Sequence, residues 1–184
     1  MMREPPHWRR DHVRDAFHLG RQRSRLATGW LDGELSSVGR EQASELGARH
    51  GTVDVVFTSD LHRAVQTADI AFGGTGVPIF RDWRLRECNY GAMNGVNVEE
   101  LERTRRSHID EPFEGGESYR HVVDRTRELL ADLATDQRDR RVVIIGHSAN
   151  QWALDHLVHG TPLEELVGPF EWQPGWRYLL LTGE

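Results

Sequence analysis

The sequence predicts an α/β fold: a three-layer αβα sandwich whose sheet is mixed but mainly parallel, with helices on both faces. Three features predict it. Val142-Val143-Ile144-Ile145 is an unbroken β-branched run, the pattern of a strand buried on both faces inside a parallel sheet. Val53 to Phe57 reads as a second buried strand. Between the runs lie segments with apolar residues at helical spacing, and alternation of strand and helix implies parallel crossovers.

In chain order, Met1 to about Arg25 is aperiodic and arginine-rich, offering at most one weak strand, Ala16 to Leu19. It reads as an atypical N-terminal segment ahead of a domain spanning 26–184. Val38 to Gly51 predicts a helix with Ala43, Leu46 and Ala48 inward. Asp60 is placed to cap a helix over Leu61 to Phe72. Gly73 to Gly76 is a turn without the lysine of a P-loop. Val77 to Phe80 is a short strand, Arg84 to Gly95 a polar loop, and Val98 to Arg106 a short helix. Gly115-Gly116-Glu117-Ser118 opens a long helix, Tyr119 to Leu133, with Val122, Val123, Leu129, Leu130 and Leu133 on one face. Gly146 ends the central strand, and Ser148 is placed to cap the helix that follows. Leu163 to Val167 is a short turn. Phe170 to Trp172 and Trp176 to Leu181 read as closing strands, their tryptophans as core or pocket wall.

Composition narrows the function. With 38% hydrophobic and 28% charged residues the chain suits a soluble domain. It has no apolar run of about 18 residues, so no membrane helix is expected. The single Cys88 fits a reducing, cytoplasmic setting. A net charge of -6 argues against a nucleic-acid partner. All 23 basic residues are arginine, which points to a G/C-rich coding sequence.

Four segments could carry chemistry, each after a strand or at a helix start. Arg63 sits in the first turn of a helix. Glu87 lies in a loop. Gly115 to Ser118 offers backbone amides. His147 follows the central strand, where α/β sheets bind ligands. An arginine, helix-end amides and a histidine on one rim describe an anion site, most naturally for phosphate. A nearby carboxylate is what acid catalysis of ester cleavage needs. Simpler readings stand beside these. Arg63 could be a solvated helix residue, Glu87 could pair with Arg84 or Arg86, and Glu117 could cap its helix. His156 and His159, one helical turn apart, lack a third metal ligand.

Taken together, Thr28-Gly29-Trp30 with Leu35 to Ala43, Thr58 to Ala68, Leu85-Arg86-Glu87 with Tyr90-Gly91, Gly115 to Ser118, and Gly146-His147-Ser148 resemble the histidine phosphatase superfamily, whose fold is phosphoglycerate mutase-like. The resemblance implies that Arg63 clamps phosphoryl oxygens, Glu87 protonates the leaving group and His147 stabilises the transferring phosphoryl group, with Ser148 and Arg21 adding substrate contacts. It implies a small phosphorylated substrate and no metal or other cofactor. The short insert between Gly91 and Glu117, where the family holds its lid, favours a phosphatase over a mutase.

The family's nucleophile, a histidine in an Arg-His-Gly-like motif after the first strand, is missing. Arg21-Gln22-Arg23 aligns there only with a gap, placing glutamine for histidine, and His18 is out of register. A shifted reading frame is a further explanation. Phe17 to Arg23 can be back-translated so that the next frame reads Ser-Thr-Ser-Ala-Asp-Asn, preceded by histidine over Ala16. That text resembles a nucleophile loop of the superfamily, at the usual distance before Gly29. The sequence therefore predicts a phosphomonoester hydrolase site of the phosphohistidine type, impaired as written. The alternative is a non-catalytic phosphate-binding relative.

Overall fold

A computed structural model describes residues 13–18 as backbone, together with 26–50, 52–169 and 176–179. The sheet has five strands in the order β3-β2-β4-β1-β5. They are β1 (Val13–His18), β2 (Val55–Thr58), β3 (Ile79–Arg81), β4 (Val142–Gly146) and β5 (Trp176–Leu179). β3, β2, β4 and β1 run parallel, and β5 is antiparallel to β1. This is the expected mixed, mainly parallel sheet.

The helices are α1 (Ser37–Arg49), α2 (His62–Phe72), α3 (Val98–Thr104), α4 (Tyr119–Asp136), α5 (Ser148–His159) and α6 (Leu163–Leu166). Alternation along β4 fixes the layers, because successive side chains leave opposite faces of a strand. Val143 and Ile145 pack with Leu46 of α1 and Ala64, Ala68 and Phe72 of α2. Val142 and Ile144 pack with Leu129, Leu130 and Leu133 of α4 and Leu154 of α5. A third cluster, including Tyr90, Leu101, Phe113, Tyr119 and Trp152, ties the 91–117 insert to α4 and α5.

Several expectations change. The first strand, doubtful in the sequence, forms as β1 over Val13–His18, between β4 and β5. Val13, Ala16 and Phe17 are its only apolar residues, and the reason it forms is tertiary. β4 is buried along its length and its second edge needs backbone partners, which β1 supplies in register from Asp15↔Val143 to His18↔Gly146. Asp60 does not cap α2; its carboxylate takes both arms of Arg86, at 2.7 and 2.6 Å. Ala48 is exposed, and Gly39 joins Ala43 and Leu46 on the buried side of α1. The 84–95 loop contains two 3-10 turns, Trp83–Leu85 and Gly91–Met93. Leu163–Leu166 is helical rather than a plain turn. The Phe170 to Trp172 strand lies outside the described residues. Among those described, no helix is long and apolar enough to cross a membrane.

Candidate active site

β2 and β4 are neighbours, and each feeds a helix at its carboxyl end, so the starts of α2 and α5 share one rim of the sheet. Arg63 lies in the first turn of α2 with only 5% of its surface exposed. Its Nη2 donates to the Gly29 carbonyl at 2.7 Å and its Nη1 to the Leu31 carbonyl at 3.2 Å. Gly29 has φ +50, and a Cβ there would lie 1.9 Å from Asn94 Oδ1, so glycine is strongly favoured at this carbonyl. Burial pulls the Arg63 guanidinium below the ordinary arginine value, while Glu87, Tyr90 and Asp32 act in the opposite direction. The result is an oriented, partly desolvated cation suited to a phosphoryl oxygen.

His147 ends the β4 turn and is buried. Its Nδ1 is 3.5 Å from Arg63 Nη2, and its Nε2 is 2.9 Å from Ser59 Oγ. Asn150 Oδ1 accepts from the His147 backbone N–H at 2.8 Å. Ser148 is not the cap of α5; His147 occupies that position. Ser148 Oγ instead donates to Glu87 Oε2 at 2.7 Å. Hydroxyls compete between helix capping and other acceptors, and a carboxylate is the stronger acceptor.

Glu87 does not pair with Arg84 or Arg86. Arg84 binds Asp82 and Asp132, and Arg86 binds Asp60. The buried Glu87 carboxylate accepts from Cys88 N at 2.8 Å, Ala149 N at 3.2 Å and Ser148 Oγ. Its backbone carbonyl accepts from Trp30 Nε1 at 2.7 Å and Arg125 Nη2 at 3.1 Å, which pins the loop on two sides.

The Gly115 to Ser118 turn does not offer its amides to an anion. Gly116 N donates to Phe113 O and Glu117 N to Asn89 O, both at 2.8 Å. Ser118 caps α4 and pairs with His121. Glu117 is not the cap; it takes Arg125 Nε at 3.0 Å and Nη2 at 3.2 Å, and Asn89 N at 2.9 Å. Arg21 lies outside the described residues. His156 is occupied through Nδ1, 2.8 Å from the Thr161 carbonyl oxygen.

Arg63, Glu87, His147 and Ser148 are therefore brought together, as expected. Sequence reasoning missed Ser59 and Arg125. Arg125 had a signal: it sits between Val122 and Leu129 on the apolar stripe of α4, where an arginine must be buried against acceptors. Ser59 had none beyond its place after a strand.

Residues 16–173 match the model of the histidine phosphatase superfamily (branch 1), and the chain belongs to that family of phosphoester hydrolases and mutases. The 2,3-bisphosphoglycerate-dependent phosphoglycerate mutase of Staphylococcus epidermidis is 28% identical over 185 aligned positions, covering 78% of this chain and 81% of that protein. The Nocardia farcinica enzyme of the same description is 42% identical over 83 residues, 41% of this chain. That match spans only 34% of the relative's length. Among solved structures, Bacillus stearothermophilus YhfR superposes with TM-score 0.76 at 27% identity, covering 86% of this chain and 85% of its own. Mycobacterial glucosyl-3-phosphoglycerate phosphatase gives 0.74 at 28%, covering 85% and 83%; it has also been solved with inorganic phosphate.

Proposed function

We propose that the site is that of a phosphomonoester hydrolase working through a phosphohistidine. The observation that carries this is the junction of Arg63, His147 and Glu87: a buried guanidinium 3.5 Å from the imidazole, and a carboxylate hydrogen-bonded to the two residues after that imidazole. Arg63 and His147 stabilise the phosphoryl oxygens by positioned charge. A nucleophilic imidazole forms an N–P bond as the ester P–O bond breaks, and Glu87 gives a proton to the departing oxygen. Water then cleaves the N–P bond and releases phosphate. The substrate is a small phosphorylated molecule, and the short 91–117 insert supports hydrolysis over mutase chemistry.

The nucleophile is the open position. On the leading reading, residues 1–25 are an out-of-frame version of the first strand and loop, with a histidine encoded over Ala16. The coding DNA tests this directly: without a histidine codon there in the shifted frame, the idea fails. A second reading has its own observation. His18 ends β1 in register with Gly146, the residue before His147, so its backbone stands on the same rim. A third is a phosphate binder without turnover.

One experiment separates them: hydrolysis of an aryl phosphate without added metal, with a test for acid-labile phosphate on the protein. Turnover by the chain as written, lost in His18→Ala, selects His18. Turnover only in the frame-restored chain selects the shifted frame. No turnover in either, with phosphate binding lost in Arg63→Ala, selects the binder.

A further inference from the structure

His147 has two ring nitrogens in different surroundings, and the partners assign the proton between them. A guanidinium is a donor only. Arg63 Nη2 faces Nδ1 at 3.5 Å, so a hydrogen on Nδ1 would set donor against donor. Nδ1 therefore presents its lone pair, and Nε2 carries the hydrogen and donates it to Ser59 Oγ at 2.9 Å. Ser59 is fully buried at the end of β2, its backbone N–H donating to Ile145 O at 3.3 Å, so the hydroxyl is fixed relative to β4. His147 is itself only 4% exposed.

We propose that Ser59 is a positioning residue: it holds His147 as the Nε2–H tautomer, so that Nδ1 is the nitrogen turned to the anion site and takes up one proton when an anion binds. This rests on the reading of the site as a phosphoryl site. A lone pair on Nδ1 would repel a phosphoryl oxygen; protonated, Nδ1–H donates to it. The imidazolium then has both N–H groups bonded, Nδ1–H to the anion and Nε2–H to Ser59, and a charged donor strengthens each bond. Among the described residues, the other charged groups near the ring are Arg63 from α2 and Glu87 from the loop after β3. Arg63 opposes the imidazolium, which is why the second nitrogen needs an acceptor.

The test uses the full chain, with sulfate as the probe because it stays a dianion across the working range. Long-range 15N–1H spectra of ligand-free protein above the imidazole's titration should show His147 protonated at Nε2 in the wild type and in Ser59→Thr. In Ser59→Ala only the long 3.5 Å Arg63 contact is left to disfavour Nδ1–H, and the two tautomers should mix. Calorimetry in buffers of different ionisation enthalpy should give about one proton taken up per sulfate, with affinity falling about tenfold per pH unit above the midpoint. Ser59→Ala should move that midpoint down, and Ser59→Thr should leave it in place. An Nδ1–H tautomer in the wild type, or a Ser59→Ala spectrum like the wild type, overturns the proposal, as does sulfate binding without proton uptake. If Ser59→Ala does not fold, the wild-type tautomer and proton count still decide. Absence of any sulfate binding with the Nε2–H tautomer in place counts against the phosphoryl site, while the tautomer assignment to Ser59 stands.

Discussion

Two loops meet at the buried Arg125, and they use their carboxylates differently. In the 115–118 turn, Glu117 is neutralised by a forked contact from Arg125. In the loop after β3, Glu87 gives Arg125 only its backbone carbonyl and keeps its carboxylate for neutral donors. A buried carboxylate matched to a cation is a brace. Glu87, held by amides and a hydroxyl, is the carboxylate proposed above as the proton donor. Arg125 is the strut that the two loops share.

The largest effect that would break this comparison is on turnover. Glu87→Gln can keep its oxygen at the Oε1 position toward Cys88 N and Ala149 N and set its NH2 toward Ser148 Oγ, which can accept. We expect the fold to be retained and kcat to fall by about 10²–10⁴ in the form of the chain that turns over. A drop in thermal stability with normal kcat would make Glu87 a brace like Glu117. The reverse holds for Glu117→Gln. Its new NH2 must face either Arg125 Nε or Asn89 N, donor against donor, with Arg125 left buried. Urea unfolding should show a loss of about 3 kcal/mol, with little change in the chemistry of protein that remains folded.

A smaller effect is expected at Ser148→Ala, which removes one donor from Glu87 and nothing from Glu117. Denaturant midpoints should report about 1 kcal/mol. The smallest concerns the Arg86–Asp60 pair flanking the Glu87 loop. The side-chain hydrogen bond from Arg86 holds the folded Asp60 carboxyl below its ordinary value of 3.8. A depressed folded value means the pair's contribution is complete above the ordinary value and is lost as pH falls through the lowered one. Stability curves of Asp60→Asn and wild type should therefore differ at neutral pH and converge in acid. A constant gap down to the most acidic pH would remove this pair from the account.

The fold was legible where burial is periodic. The β-branched runs of β2 and β4 and the stripes on α2 and α4 identify themselves. β1 was not, because Val13-Arg14-Asp15-Ala16-Phe17-His18 has no strand pattern of its own and forms through pairing with β4 and β5. At the site, Arg63, Glu87 and His147 were readable as residue types after strands. Which carboxylates the arginines take was not, since it depends on where Arg84, Arg86 and Arg125 point. Ser148 and Asp60 both sit where caps are expected, and both were claimed by stronger charged partners.

The claim that Arg63, His147 and Glu87 form a phosphoryl site is tested most directly by calorimetric titration of inorganic phosphate into chelator-treated protein, wild type against Arg63→Ala, with thermal melts to verify folding. The account predicts saturable binding by the wild type and a loss of at least about tenfold in the variant, the scale of one charged hydrogen bond. Folded wild type that does not bind, or a folded variant that binds equally well, would contradict it.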